Sequence, residues 1–225
     1  MNQTPDPRPQ TPGSPVGRSV GYIDGEERVR GQVNYVLNAE LPGCLVGRIL
    51  RSPHAHARIL SVDASKAEKL PGVVAVLTRN DLIDNPRFYP YFGPVIRDQA
   101  IVAIDKVRFA GDPVAAVAAI DDDAAQAALD AIEVEYEPLP AVFEPLEALE
   151  PNAPILHESF PPQRGATFAD IVFNPGEGSN RLNHFKLRKG DVEAGFAQAA
   201  HIFEDTFRCP PVQHVPLEPH VAMAV

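Results

Sequence analysis

The chain has little of several residue types on which common kinds of site depend. Its 225 residues include no tryptophan, two methionines and two cysteines. Two cysteines cannot ligate a four-cysteine iron–sulfur cluster or a cysteine-based zinc site. We expect Cys44 and Cys209 to be buried, reduced side chains in strand-like surroundings, and a disulfide between them is the weaker alternative.

Long apolar runs are also absent. No stretch approaches the ~18–20 consecutive apolar residues of a membrane-spanning helix. The chain begins with MNQTPDPRPQTPGSP, which contains no apolar region typical of a secretory signal. We therefore expect a cytoplasmic protein with no membrane span.

Positive charge is missing from one long stretch. Residues 120–150 contain ten acidic residues and no lysine or arginine, whereas the rest of the chain balances 20 acids against 20 bases. The net charge of −10 therefore comes from this acidic stretch. No block of five or more basic residues occurs, and an acidic surface repels a phosphate backbone. The sequence thus argues against nucleic acid as a partner.

Proline, by contrast, is abundant. The chain contains 24 prolines, about twice the usual share of ~5%. This favours many short elements joined by turns over a helical bundle. Residues 1–16 hold five of these prolines and almost nothing apolar, and we expect them to form a disordered tail because they cannot offset their ordering entropy by burial.

Apolar patterning predicts an α+β fold. Strands are predicted over residues 44–50, 57–62, 73–77, 113–120 and 132–136. Residues 73–77 read VVAVL, which is typical of a strand buried on both faces. A short helix over 64–70 is predicted to follow Asp63 as its N-cap and to stop at Pro71.

A second helix is predicted after Asp121–Asp123, running to about residue 131. Ala125, Ala128, Leu129 and Ile132 fall on one side of it, at the spacing of a buried stripe. We expect the strands at 73–77, 114–120 and 132–136 to form one buried sheet with this helix packed on it.

The last part of the chain has weaker patterning. Residues 151–180 are rich in proline, glycine and asparagine and are predicted to form an extended linker. Strands are predicted at 183–187, 202–209 and 221–225, with a helix capped by Asp191 that runs to about residue 200. An apolar terminal strand without a partner invites aggregation. We expect exposed apolar surface here and association with a complementary subunit or with further copies.

Few residues are candidates for chemistry. His54 and His56 are two apart and could share one face of a strand as a metal-binding pair, but no third ligand is evident nearby. We prefer to interpret them as polar residues at a strand entrance. Asp121–Asp123 could bind a divalent cation, although helix capping is the simpler role.

Two further motifs are weak. Residues 176–181 begin like a dinucleotide-binding loop, but Arg181 occupies the position of the third glycine and no strand directly precedes the motif, so we reject it. Gln213, His214 and Glu218 could face a pocket, although a structural role is preferred.

Seven longer segments carry a family resemblance. They are Gly31-x-x-x-Tyr35, residues 51–59 (RSPHAHARI), residues 70–78 (LPGVVAVLT) with Asp81, residues 109–117 (FAGDPVAAV), residues 134–140 (VEYEPLP), residues 190–193 (GDVE) and residues 216–220 (PLEPH). In this order and spacing, over about residues 17–225, they resemble the molybdenum hydroxylases of the xanthine dehydrogenase and aldehyde oxidase family. The match is to the start of the large, molybdopterin-binding subunit. Asn38 departs from the family phrase, which commonly has aspartate there.

The resemblance implies a two-part architecture. Residues 17–150 would form an α/β hammerhead domain, 151–180 an extended linker, and 181–225 the incomplete start of a molybdopterin-binding α+β domain.

The resemblance also implies a reaction. Family members hydroxylate aldehydes or N-heterocycles with a molybdopterin-type molybdenum cofactor, working with iron–sulfur and flavin subunits or domains. The segments that surround the pterin and the general-base glutamate have no counterpart here, so no catalytic, cofactor-binding or metal-binding residue is assigned. We expect the chain alone to bind no cofactor and to be inactive without the remaining molybdopterin-binding segment or subunit. The alternative is a non-catalytic assembly module that docks through the acidic stretch.

Overall fold

The computed structural model describes residues 19–39, 41–83, 85–93, 97–159 and 178–224. The chain divides into two units, Met1–Pro42 with Glu204–Val225, and Gly43–Phe203. The tail predicted over residues 1–16 lies outside the described residues.

Among its described residues, the second unit has eight short strands. They are β1 Val46–Arg51, β2 Ala57–Asp63, β3 Val73–Leu77, β4 Tyr91–Phe92, β5 Gln99–Ala100, β6 Lys106–Val107, β7 Pro113–Ala119 and β8 Glu133–Pro138. The first sheet has the order β1-β7-β3, the second has the order β6-β2-β8, and β4 pairs with β5. Every pairing is antiparallel.

The helices are short. The α-helices are α1 Gly25–Val29, α2 Arg79–Leu82, α3 Asp122–Ala131 and α4 Val192–Gln198, and single 3₁₀ turns occur at Val36–Asn38, Ala67–Lys69 and Glu147–Leu149. Among the described residues, no helix is both long and apolar enough to cross a membrane.

The helix α3 confirms the prediction made from its sequence. The Asp121 carboxylate accepts a hydrogen bond from the backbone N–H of Ala124 at 2.8 Å, which caps the first turn. Ala125 and Ala128 are fully buried, and α3 contacts all three strands of the first sheet. The small apolar stripe therefore faces that sheet.

The prediction of one shared sheet is wrong. β3 and β7 belong to the first sheet, whereas β8 pairs with β2 in the second. The reason lies in β8, where Glu133, Glu135 and Glu137 alternate with partly buried residues and need one face in water. β2 meets that need because Arg58 forms an ion pair with Glu137 across the strands, at 2.8 Å.

Two local predictions also need correction. β3 is an edge strand rather than a strand buried on both faces, and Val74 is 58% exposed. The predicted helix over 64–70 is only the 3₁₀ turn Ala67–Lys69, since a seven-residue segment before a proline is too short to sustain an α-helix. Asp63 accepts instead from the Ser65 backbone N–H, 2.9 Å away.

The C-terminal strands predicted at 183–187, 202–209 and 221–225 are absent from the described part of these ranges, where the backbone forms no ladder. A strand needs a neighbour to satisfy its backbone N–H and C=O groups, and the described residues supply none there. The helix predicted after Asp191 is confirmed as α4, with Asp191 accepting from the Ala194 backbone N–H at 2.9 Å. Large apolar side chains stay exposed in this region, among them Phe185, Leu187 and Phe203.

Candidate functional site

The candidate site is a group of charges around the buried Lys106 of β6, whose acidic partner Glu158 is 64% exposed. The Lys106 side chain is only 6% exposed. Its ammonium nitrogen donates to the Ile155 carbonyl oxygen at 3.2 Å and to a carboxylate oxygen of Glu158 at 2.6 Å. Lysine is almost never buried without such partners, so the residues that follow the second sheet are held to it by a paired charge.

Arg108 adds a second attachment to the same segment. Its Nε donates to the Leu156 carbonyl oxygen at 2.9 Å, and its two Nη atoms reach the Asp105 carboxylate at 3.3 and 3.2 Å. The Arg108 backbone N–H donates to the Asp112 carboxylate at 2.9 Å. We call the arrangement of Lys106 and Arg108 with residues 155–158 the charged clamp.

Asn180 extends the attachment to the far side of residues 160–177, which are not among the described residues. Its Oδ1 accepts from the Leu156 backbone N–H at 2.9 Å. Its Nδ2 donates to the carbonyl oxygens of Ala148 and Pro154 at 3.0 and 2.9 Å. The side chain is therefore saturated by backbone groups of residues 148–156, and it ties Asn180 to the charged clamp.

Two adjoining cavities, of about 330 and 190 Å³, border the charged clamp. Both are lined by Asp98, Ala100, Arg108 and His157. The pKa of His157 is lowered mainly by burial and to a smaller extent by the positive charge of Arg108. Burial raises the pKa of Asp112. The charged clamp and the two cavities thus bring polar groups together where water is partly excluded. The hydrogen bonds of Lys106 and Arg108 to residues 155 and 156 go to backbone carbonyl groups.

Acidification is expected to weaken the folded state through His157. Because its pKa is lower folded than unfolded, the unfolded chain binds more protons and stability falls as the pH drops below the ordinary histidine value of ~6.5. Protonation would place a cation beside Arg108 and Lys106, with Asp98 and Glu158 as the opposing acids. Thermal unfolding between pH 7.5 and 5.5 should show a steeper decline for the wild type than for His157→Gln.

Asp112 works in the opposite direction. Its raised pKa means that the folded chain binds more protons, so its protonation adds stability as the pH falls through that raised value towards the ordinary carboxyl range. Asp112→Asn should remove this gain in stability at low pH. The loss of stability that His157 causes below neutral pH should remain. Equal pH profiles for the wild type and His157→Gln would contradict the role given to His157.

His54 and His56, the possible metal-binding pair of the sequence, make other contacts. His56 is buried, and its Nδ1 lies 2.7 Å from the Pro140 carbonyl oxygen. The His54 ring packs edge-on against Tyr136, with centroids 4.8 Å apart. Within the described residues, no three histidine, cysteine or acidic side chains converge as metal ligands.

The other candidate site residues have structural roles or are exposed to solvent. Asp121 caps α3, and Asp122 forms an ion pair with Arg48. Gln213 and His214 are exposed and line a cavity of about 740 Å³. The Glu218 carboxylate accepts from the Val36 backbone N–H at 3.3 Å.

Cys44 and Cys209 are free thiols, so no disulfide joins them, but both are exposed and the prediction of burial is wrong. Cys44 lies before the first residue of β1 and is not part of the sheet. Cys209 lies in residues 202–209, which form no strand. Neither position has a packed layer over it.

The charged clamp was not predicted from the sequence. Its visible signal is the segment 101–109, IVAIDKVRF, where two cations two residues apart interrupt an apolar run. Such spacing places both side chains on one side of extended backbone. The residues that they hold lie 48 to 52 positions further on, and nothing local in the sequence identifies them.

The described residues do not by themselves fit a molybdenum cofactor. Every residue from 181 to 224 is exposed except Ala194, which is partly exposed. A buried cofactor site excludes water with a lining drawn from several packed elements, and this stretch, as far as it is described, provides no such lining. No step of a reaction is therefore assigned to these residues.

Two family models match the chain in succession. The model described as "Aldehyde oxidase and xanthine dehydrogenase, a/b hammerhead domain" matches residues 30–140. The model described as "Molybdopterin cofactor-binding domain" matches residues 173–225. Lys106 and Arg108 thus lie within the first match, and the residues 155–158 that they hold lie between the two matches.

Known proteins agree with these matches. The chain is 39% identical to a probable xanthine dehydrogenase subunit of Bacillus subtilis (strain 168) over 90% of its length, and it covers 24% of that protein. It is 41% identical to the carbon monoxide dehydrogenase large chain of Afipia carboxidovorans over 84% of its length, covering 23% of that protein. The chain therefore spans about a quarter of these relatives.

A solved structure shows the same fold. The Cu,Mo-CO dehydrogenase in its carbon monoxide reduced state superposes with a TM-score of 0.64 and 39% identity, covering 81% of this chain and 22% of that chain. The α+β prediction, with a hammerhead unit followed by the start of a cofactor-binding domain, is confirmed. The chain belongs to the aldehyde oxidase and xanthine dehydrogenase family and corresponds to a fragment of the molybdenum hydroxylase large subunit.

Proposed function

We propose that this chain serves as the hammerhead portion of a molybdenum-dependent oxidoreductase, with residues 17–150 as the hammerhead domain and 181–225 as the start of the cofactor-binding domain. It contributes to the hydroxylation of aldehydes or N-heterocycles only together with polypeptide that it does not contain. The family resemblance supports this substrate class, and the match of two successive family models supports the assignment to the large subunit.

The observation that carries the role of the hammerhead portion is the charged clamp. Lys106 and Arg108 hold residues 155–158, and Asn180 returns to the same segment just inside the region that matches the cofactor-binding model. The hammerhead portion thereby fixes the point from which the cofactor-binding polypeptide starts. Its contribution to the reaction is positional.

The cofactor and partners belong to the complete enzyme. We infer that a molybdopterin-type molybdenum cofactor is bound there by the remaining molybdopterin-binding segment or subunit, and that iron–sulfur and flavin subunits take up the electrons, as the family resemblance implies. The exposed stretch 181–224 supports the view that this chain alone binds no cofactor.

The complete-enzyme role can be tested with a chimera. In the Bacillus subtilis relative, the matched quarter of the large subunit would be replaced by this chain, and the purified product analysed for size and molybdenum content. We expect a single assembled species with molybdenum, and no molybdenum in this chain purified alone. A chimera that never assembles, or molybdenum bound stoichiometrically to the isolated chain, would contradict the proposal.

The charged clamp predicts a measurable coupling between its members. Glu158→Gln leaves the buried Lys106 ammonium with the Ile155 carbonyl as its remaining clamp partner, so it should destabilise the chain, whereas Lys106→Met removes the charge as well. A double-mutant cycle by chemical unfolding should give a coupling of about 1–2 kcal/mol.

The exposed ion pair between Arg58 and Glu137 provides a matched control. Both side chains are more than half exposed, and such pairs contribute roughly 0.2–1 kcal/mol. Its cycle should give the smaller coupling. Equal couplings in the two cycles would show that the charged clamp is an ordinary surface contact.

The alternative of an assembly module that docks through the acidic stretch is less well supported. Asp122, Glu133 and Glu137 form ion pairs with Arg48, Lys66 and Arg58. Asp121 is occupied in capping α3. Several acids of the stretch are thus neutralised within the fold, which leaves less charge for a basic partner.

A further inference from the structure

The peptide bond between Asp112 and Pro113 joins the turn after β6 to the first residue of β7. A bond of this type is intrinsically weak towards acid. The proline nitrogen belongs to a tertiary amide, which takes up a proton readily as it leaves, and an aspartate carboxyl oxygen can close a five-membered ring on its own backbone carbonyl carbon. The sequence contains one other such pair, Asp6–Pro7, which lies outside the described residues. Because the two bonds are chemically alike, a difference in their reactivity must come from the fold.

The fold holds the carbonyl group of the Asp112–Pro113 bond in a hydrogen bond. The Ser52 backbone N–H donates to the Asp112 carbonyl oxygen at 2.9 Å, and the Gly111 N–H donates to the Ser52 carbonyl oxygen at 2.8 Å. Ser52 is buried, so its N–H group stays with this partner. An N–H group fixed on a carbonyl oxygen stabilises the negative charge that develops there when a nucleophile attacks the carbon. The backbone of Ser52 is thus placed to assist an attack on the Asp112 carbonyl carbon.

The Asp112 side chain is held beside the same bond. The Arg108 backbone N–H donates to its Oδ2 at 2.9 Å, and among the described residues Oδ1 has no hydrogen-bond partner. Asp112 is 9% exposed, and it borders the cavity of about 330 Å³, which has room for water. A carboxyl oxygen that can attack and space for the water that hydrolysis consumes therefore lie together at this bond.

The surroundings of Asp112 favour its protonated form. The charged and titratable groups around it are Arg51, Asp98, Asp105, Arg108, Tyr136 and His157. Burial is the largest influence and raises the pKa of the Asp112 carboxyl, and the charge of Asp105 adds to it, whereas the N–H and positive charge of Arg108 act in the opposite direction. Asp112 therefore carries a proton at a higher pH than an ordinary aspartate, whose pKa is ~3.9. That proton is the one that the leaving nitrogen needs.

We propose that the folded chain cleaves its own Asp112–Pro113 peptide bond in mildly acidic solution, with the Asp112 side chain as the nucleophile. A carboxyl oxygen of Asp112 bonds to the backbone carbonyl carbon of the same residue, and the C–N bond to Pro113 breaks. The carboxyl proton moves to the Pro113 nitrogen, which leaves as a secondary amine. One water molecule then opens the cyclic anhydride. The products are residues 1–112, ending in an ordinary aspartate, and residues 113–225, beginning with proline.

The reaction depends on the folded state. The hydrogen bond from Ser52 and the raised pKa of Asp112 both belong to the fold and are lost when the chain unfolds. The reaction consumes only water, so it is independent of the proposed function. After cleavage β7 still lies between β1 and β3 in the first sheet, so the two fragments should stay associated until the chain is denatured.

The test follows both Asp-Pro bonds in the same molecules. The purified chain is incubated at pH 5.5, where circular dichroism confirms that it is folded, and samples are denatured and analysed by mass spectrometry. We expect fragments 1–112 and 113–225 to form at least tenfold faster than fragments from Asp6–Pro7. In guanidinium chloride at the same pH the two bonds should break at rates within about threefold of each other, because the influence of the fold is gone.

Two variants identify the reacting groups. Pro113→Ala keeps the carboxyl group and removes the tertiary amide, and Asp112→Asn keeps the proline and removes the carboxyl group, so each should lower cleavage after residue 112 at least tenfold. Unchanged cleavage in Asp112→Asn would show that the side chain is not the nucleophile. The comparison within the wild-type chain needs no variant to fold. If both Asp-Pro bonds break equally fast in the folded chain, or if unfolding accelerates the break at Asp112, the fold protects this bond and the proposal is wrong.

Discussion

Substitution of Ala128 by lysine is expected to unfold the second unit or to destabilise it by at least ~3 kcal/mol, as expected when a charge is buried without a partner. Ala128 is fully buried on the face of α3 that packs on the first sheet. A lysine there must bring a four-carbon stem and an ammonium group into space that now holds one methyl group. Thermal unfolding should shift by roughly 2–4 °C for each kcal/mol in a protein of this size.

The neighbouring residue provides the control. Ala127 lies on the exposed side of α3, and lysine is as compatible with a helix as most residues. In Ala127→Lys the new ammonium group is four residues after Asp123 and three before Asp130, so local electrostatics favour it. We expect a melt within about 2 °C of the wild type for this variant. Equal melts for the two variants would refute the placement of α3.

The success of the prediction for α3 has a local cause. Residues 121–132 contain its N-cap, its alanine-rich segment and its buried stripe. A short window of sequence is therefore enough to predict this helix. The same holds for β2 and β7, whose patterns extend over seven residues each. Such elements depend little on what the distant chain does.

Sheet membership could not be predicted in the same way. β8 follows α3 directly in the sequence, yet the residues of β2 that pair with it lie 70 to 81 positions earlier. Which of two available strands it joins depends on where its three glutamates can reach water and meet Arg58. The pairing of β8 therefore depends on the folded surroundings of the strand. Its local sequence pattern is compatible with either sheet.

The charged clamp is a still more distant relationship. Lys106 and Glu158 are 52 residues apart, and their ion pair exists because the polypeptide returns to β6 after completing the second sheet. The sequence shows Lys106 as a charged residue within an apolar run, but it does not show which residue pairs with it. The family, by contrast, could be identified from the sequence, because it rests on long phrases spread along the chain rather than on any contact.

Substitution of Gly72 by alanine is the second change from which we expect a large loss of stability. Gly72 has a φ of +85°, and its carbonyl oxygen accepts from the Ile120 backbone N–H at 2.9 Å, which fixes the turn before β3. A Cβ at this position would lie 3.0 Å from both the Ala124 Cβ of α3 and the Ile120 Cγ1. Left-handed backbone costs a residue with a Cβ roughly 1–2 kcal/mol, and the contacts add to this, so we expect a loss of at least ~2 kcal/mol.

Gly111 separates the two contributions. It also has a positive φ, +94°, but a Cβ there would meet nothing within 4 Å. Gly111→Ala should therefore show only the backbone cost, and the difference between the two variants in chemical unfolding measures how tightly the turn at Gly72 packs on α3. If Gly72→Ala loses no more stability than Gly111→Ala, then α3 is free to move away from this turn, and β3 is not held against the helix in the way that the first sheet requires.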